Sequence, residues 1–176
     1  IDITRHLCGE ITAVSATIRE LVDRVVPTPG VADLVSMFVD IDTGTSAGTV
    51  GGVVEASWAL RGHKCDLGFD LVCERGALRF SWERFNEIGV LTGDVDDPTN
   101  GYRSVLIGGG QPDVGRFVAV PGQGMGYRDV FTVGVSRALA AIARGERVTS
   151  PSFEDGLQVA LTVEAAKQSA AERRWV

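Results

Sequence analysis

Two side chains near the start of the chain have the types and spacing for proton transfer. Asp2 and His6 lie four residues apart, so on a helix they share one face and can hydrogen-bond or converge on one ligand. A carboxylate beside an imidazole fixes its tautomer and stabilises the protonated form, which suits the histidine to general-base work. The other reading, two solvated neighbours on an exposed helix face, stays open at this point. A second polar cluster runs from Arg61 through His63 and Lys64 to Asp66, between two apolar segments. Such a cluster can project into a cleft and hold hydroxyl groups, or it can be a solvated strand end. Glu83, Arg84, Asn86 and Glu87 follow Trp82 and read either as site residues or as a charged turn, with Trp82 and Phe85 as core or interface aromatics. The run Pro121 to Gly126 precedes a helical pattern, where backbone N–H groups could cradle a phosphate. Its glycines lack the spacing of a dinucleotide fingerprint and no lysine–threonine pair follows, so it reads as a mobile loop leading into a helix.

The elements that must position these residues follow from periodicity. Ile1 to Leu7 is expected to be a short helix stopped by Gly9. Thr12, Val14, Ala16 and Ile18 alternate along one side of a strand, and Val35, Met37, Val39 and Ile41 repeat the pattern. Between them, the Val26–Gly30 run with its two prolines reads as a loop. Further strands are expected from Thr49 to Leu60, through Leu67 to Cys73, through Leu78 to Trp82 after a tight Glu74–Gly76 turn, around Ile88 and Val90, and from Tyr102 to Ile107. Helical spacing then takes over. Tyr127, Phe131, Val135, Ala138, Leu139 and Ile142 form one stripe ended by Gly145. A second helix opens at a capping box of Ser152 and Asp155, carries Leu157, Ala160, Leu161 and Ala165 inward, and runs to about Arg174. Strands first and helices last imply an α+β layer: one large, open, mostly antiparallel sheet of seven or eight strands with helices on one face. The other face, carrying Val54, Ala56 and Trp58, would leave apolar area in water. A homodimer or homotetramer through that open face is therefore expected.

Bulk composition narrows the class. The chain has 176 residues, 44% of them hydrophobic and 23% charged, with a formal net charge of −6. That suffices for one domain with a real core. An acidic surface without a basic stripe argues against nucleic acid, and no apolar run approaches a bilayer span. Cys8, Cys65 and Cys73 lack zinc-site spacing. They read as reduced core residues of a cytoplasmic protein with no metal site. No alternation of strand, glycine turn and helix is present, so no dinucleotide fold is expected within these residues. The chain opens at Ile1 in mid-pattern without a methionine, which reads as a piece of something longer.

Taken in order, five segments carry a family resemblance. They are Ile1–Ile11 (IDITRHLCGEI), Asp70–Phe80 (DLVCERGALRF), Trp82–Ile88 (WERFNEI), the Pro121–Tyr127 loop, and Pro151–Leu157 with its helix ending at Arg174-Trp175-Val176. Together they resemble the C-terminal domain of the Gfo/Idh/MocA oxidoreductases, over nearly the whole chain. The resemblance implies a fold like the C-terminal domain of glyceraldehyde-3-phosphate dehydrogenase, preceded in such enzymes by a nucleotide-binding domain for NAD or NADP. It places Asp2 and His6 on the family's catalytic Asp and His, His6 taking the proton of a secondary alcohol while hydride leaves for the nicotinamide. Asp2 would orient His6, and a lysine from the nucleotide domain would stabilise the oxyanion. His63 falls near a position where inositol dehydrogenases carry a substrate-contacting aromatic, and Gln123 and Tyr127 lie in a loop beside the substrate pocket. With Lys64, these are the expected contacts of a sugar, inositol or polyol. The implied activity is that of the whole enzyme, and residues 1–176 alone are expected to be inactive. A non-catalytic oligomerisation or sugar-binding module is the competing expectation.

Overall fold

The computed structural model describes every residue except Pro27, Pro29, Val95, Thr149 and Ser150. The two prolines on which the Val26–Gly30 loop expectation rests thus lie outside the described residues. In chain order the elements are α1 (Asp2–Cys8), β1 (Glu10–Arg19), β2 (Leu34–Asp42), β3 (Thr49–Ser57), β4 (Gly68–Cys73), β5 (Gly76–Ser81), a 3-10 turn (Trp82–Arg84), β6 (Glu87–Thr92), β7 (Arg103–Leu106), a 3-10 turn (Val114–Arg116), α2 (Tyr127–Ala143) and α3 (Phe153–Glu172). Every strand pair is antiparallel. The expected single wide sheet is instead two ladders among the described residues, β1-β2-β3 and β4-β5-β6-β7. The chain likewise gathers into two compact units, Ile1–Arg61 with Val148–Val176, and Gly62–Arg147.

In the first unit, alternation builds one buried face. Val14, Ala16, Met37, Val39, Ile41 and Ala166 form the core, and Ile1, Cys8, Ile11, Val54 and Ala165 pack against it. The register pairs Ile11 with Ile41 and Val14 with Val39, and it shifts between Ile11 and Ala13. One extra residue there flips the alternation, so Ile11 rather than the expected Thr12 joins the core. Val54, opposite Met37, also lies on the core side and not on the outer face assigned to it. The outer face instead carries Phe38 and Val53, paired across the ladder and 62% and 70% exposed.

Helix α3 covers the core face, but not with the leucines. Leu157 and Leu161 are exposed, while Thr162, Ala166 and Ser169 are buried. Hydrogen-bonding demand on β1 explains the rotation. As an edge strand, β1 has N–H and C=O groups with no neighbouring strand. The C-terminal tail fills part of that edge, with Val14 N–H donating to Val176 O at 2.8 Å and Val176 N–H to Val14 O at 3.0 Å. Ser169 Oγ accepts from Ala16 N–H at 2.9 Å. Small side chains let the helix lie close enough for that bond; leucines on this face would hold it off.

In the second unit, the tight turn at Glu74 and Arg75 closes the β4–β5 hairpin as expected. Phe69 pairs with Phe80 and Leu71 with Leu78 on one face, while the other face carries the Asp70–Arg79 ion pair with the Arg79 guanidinium 4.5 Å from the Tyr102 ring. Only Ala77 and Val118 are buried hydrophobics among this unit's described residues. Helix α2 forms where its stripe predicted but buries none of its residues, and Phe131, Val135, Leu139 and Ile142 are exposed. Cys65 and Cys73 are exposed rather than core thiols, and Cys8 is half-buried. Among the described residues no helix is long and apolar enough to cross a membrane.

Candidate functional site

Each unit holds one concave cluster that includes residues singled out by sequence. In the first, α1 is set against the sheet by Gly9, whose φ of +127° and close approach exclude a side chain: a Cβ there would lie 2.1 Å from Asp42 O. Asp2 and His6 then face the same small cavity, about 70 Å³, lined also by Arg5, Glu10 and Asp155. Both are exposed, and no hydrogen bond joins them among the described residues. The well-connected group is Arg5, whose side chain is 7% exposed. Its Nε and Nη2 donate to the two Glu10 carboxylate oxygens at 2.9 and 2.8 Å, and Nη1 donates to Asp155 O at 3.3 Å. Asp155 is itself held by the α3 capping box, accepting from Ser152 N–H and Oγ–H at 2.8 Å each. Those Ser152 bonds, and then Arg5, hold the Asp155 carboxyl below its ordinary range. The meeting of Arg5 with Asp155 was not legible from spacing, because it depends on α3 returning to α1 from 150 residues away; Glu10 lies only five residues from Arg5.

The second cluster is larger, about 380 Å³, lined by Gly62, Lys64, Cys65, Trp82 and Glu83. Ligand sites run from roughly 300 to 1,000 Å³, so this cavity is of ligand size and the α1 cavity is not. Lys64 lines it, with its N–H donating to Glu83 Oε1 at 2.6 Å. His63 stands next to it and carries a carboxylate–imidazole bond, its Nδ1 lying 2.6 Å from Asp66 Oδ2. Asp66 is fixed in turn by Ser81 Oγ–H at 3.2 Å. Tyr127 meets Trp82 edge-on with ring centres 5.9 Å apart, and Trp82 stacks on Phe85 at 5.3 Å. Tyr127 is thereby tied to a wall of the Lys64 cavity. Gln123 is exposed and makes no side-chain hydrogen bond among the described residues. Asn86, which the sequence left open as a site residue or part of a charged turn, clasps the backbone at Met125 with both ends of its amide.

A dinucleotide does not fit these residues. With all ladders antiparallel, no strand–helix–strand switch point exists among the described residues. In the glycine-rich loop, two N–H groups next to the helix N-terminus are already taken. Gly126 N–H donates to Asp129 Oδ2 at 2.6 Å and Met125 N–H to Asn86 Oδ1 at 2.6 Å. The Asp129 charge at the α2 N-terminus would repel a phosphate besides. No group of three or more His, Cys, Asp or Glu that could hold a metal ion occurs among the described residues.

No family model matches the chain. Levoglucosan dehydrogenase of Pseudarthrobacter phenanthrenivorans is 31% identical over 191 aligned positions, which take in 100% of this chain and 48% of that protein. A solved levoglucosan dehydrogenase in complex with NADH and levoglucosan superposes with a TM-score of 0.90 at 31% identity, over 100% of this chain and 47% of that one. An NAD-binding oxidoreductase from Klebsiella pneumoniae gives 0.84 at 27% identity, over 99% of this chain and 47% of that one. The chain therefore spans about half the length of the relatives it matches, and over that half it is homologous to NAD-binding oxidoreductases, a sugar dehydrogenase among them. The α+β class with antiparallel strands and helices is the fold of the matching part of those structures.

Proposed function

We propose that this chain is the C-terminal, substrate-side half of an NAD(P)-dependent dehydrogenase of the Gfo/Idh/MocA type, which oxidises a secondary hydroxyl of a sugar, inositol or related polyol. The observation that carries this reading is a match running the whole length of the chain to one half of a levoglucosan dehydrogenase. The ligand-sized cavity beside Trp82 supports it. In this reading the dinucleotide is held by residues other than these, and the chain's own work is to hold the sugar and to handle a proton. His63, Lys64, Gln123 and Tyr127 are the proposed sugar contacts. Asp66 keeps the His63 ring turned so that Nε2 can face a hydroxyl, and Lys64 offers a cation with three donors. Asp2 and His6 are the proposed proton-handling pair, His6 accepting the hydroxyl proton at a ring nitrogen. The outer face of the three-stranded sheet, centred on Phe38 and Val53, is the proposed homo-oligomer contact.

A second reading of α1 is favoured by the geometry around Arg5. Asp2 and His6 are exposed and unjoined, the cavity between them is below ligand size, and the buried connections belong to Arg5. In that reading α1 is an anchor, and the proton goes to a residue outside these 176. One experiment separates the two. The natural polypeptide, given NAD or NADP and a panel of sugars and polyols, is expected to form reduced nicotinamide, read at 340 nm. If His6 is the base, His6→Ala lowers kcat by about 10²–10⁴-fold. If α1 is an anchor, kcat stays within a few-fold. Failure of every sugar and polyol to be turned over would overturn the reading as a whole.

A further inference from the structure

Residues 121–126 have no regular secondary structure, yet Gln123 and Tyr127 must be presented in a fixed arrangement if they contact one sugar. We propose that Asn86 is the positioning residue for that loop, acting on sugar affinity through the backbone at Met125; the inference rests on the sugar-dehydrogenase reading above.

A primary amide carries one acceptor and one donor in a plane, much as a peptide unit does, so it can stand in for a neighbouring strand. Asn86 does so. Its Oδ1 accepts from Met125 N–H at 2.6 Å, and its Nδ2 donates to Met125 O at 3.1 Å. The residue is anchored on its own side, because its carbonyl accepts Ile107 N–H at 2.9 Å, just past β7. The loop is shaped to receive it. Gly124 has φ +73°, and a Cβ there would lie 2.8 Å from Asn86 Cγ and 2.9 Å from Nδ2. Only a glycine lets the chain lie flat on that amide. Met125 sits between the two proposed contacts, two residues after Gln123 and two before Tyr127. Tyr127 rests on Trp82 and Trp82 on Phe85, so the segment from Trp82 to Asn86 holds the loop at Met125 and the first ring of α2.

The clasp thus prepays the ordering of the loop, a cost that otherwise falls on binding. Asn86 touches no reacting atom in this arrangement, so its loss should fall on KM and spare kcat. The test uses the natural polypeptide with NAD or NADP and levoglucosan, or the best sugar of the panel. Asn86→Ala is expected to raise KM by about tenfold or more with kcat within about threefold. Gly124→Ala leaves the amide in place but forces it away, and it should give the same split. Hydrogen exchange at the Met125 amide should accelerate in both, while exchange in β1 and β2 stays unchanged. A merely structural residue would move stability without this split. Unchanged KM in a folded variant whose Met125 amide exchanges faster overturns the inference and leaves the function reading standing. An equal fall in kcat and kcat/KM also overturns it, since Asn86 would then act on the chemical step. If the unsubstituted polypeptide turns over no sugar or polyol, the function reading falls and this inference with it.

Discussion

The two units of this chain are both built on antiparallel strands, of 9–10 residues in one and 4–6 in the other, but spend their apolar residues differently. The unit built on β1–β3 and α3 buries Val14, Ala16, Met37, Val39, Ile41 and Ala166 in one cluster, and satisfies its edge strand with Ser169 and Val176. The unit built on β4–β7 and α2 buries only Ala77 and Val118 among its described hydrophobics, and leaves the α2 stripe in water. Its aromatics form a ladder instead, from Phe69 through Phe80 and Trp82 to Tyr127 and Phe131. The first unit holds the larger buried core. The second is organised around a cavity and a clasped loop, with surfaces open for contact.

Substitutions can break this contrast, and the largest effect is expected at Gly9. Any side chain there meets Asp42 O and a strained φ, so Gly9→Val should cost about 3 kcal/mol or more. Calorimetry should show the three-stranded unit melting about 10 °C lower or not folding. Ser169→Ala comes next. It leaves the Ala16 N–H buried without its acceptor, a cost of about 1–3 kcal/mol, visible as a lower Tm with no effect on sugar affinity. Acid should act on the same unit. Asp33 is 4% exposed and accepts from Leu21 and Val22 N–H at 2.7 and 2.9 Å. Those two bonds, and then Arg24, hold its carboxyl below the ordinary range. A folded-state value below the unfolded one means the stabilisation is complete above about pH 3.9 and is lost as pH falls through the folded value. Urea midpoints should therefore hold from pH 7 to about 5 and drop below about 4, with a shallower drop in Asp33→Asn. The smallest effect is expected on α2. Leu139→Ser and Ile142→Ser should each stay within about 0.5 kcal/mol in the isolated chain, because both side chains are already in water.

Much of this was legible in the sequence where local rules decide. The Gly9 stop, the Ser152–Asp155 box, the Glu74–Gly76 hairpin and the α2 stripe all follow from short-range chemistry, and all are present. What escaped was set by partners far along the chain. Leu157 and Leu161 carry the stronger apolar signal, but the unpaired edge of β1 selected Ser169 and its small neighbours. The bulge after Ile11 reversed one side of β1, because alternation cannot report an inserted residue. At the candidate sites, Asp2 and His6 line one small cavity, as their shared face allows, while a bonded carboxylate–imidazole pair is formed by His63 and Asp66, three residues apart. Spacing states that two groups can meet; loop geometry decides whether they do. Asn86 was one of four residues open to a site reading, but its bonds to Met125 could not be read from the sequence, since they form only once Met125 folds back across 39 residues.

The central claim is the proposal that the sugar contacts lie on the four-stranded unit, at Lys64, Trp82, Gln123 and Tyr127. It is tested most directly by NMR of the labelled natural polypeptide titrated with levoglucosan in the presence of NADH. Saturable shifts are expected to centre on Lys64, Trp82, Gln123 and Tyr127. Saturable shifts centred on β1–β3 and α3, with those four residues silent, would contradict it.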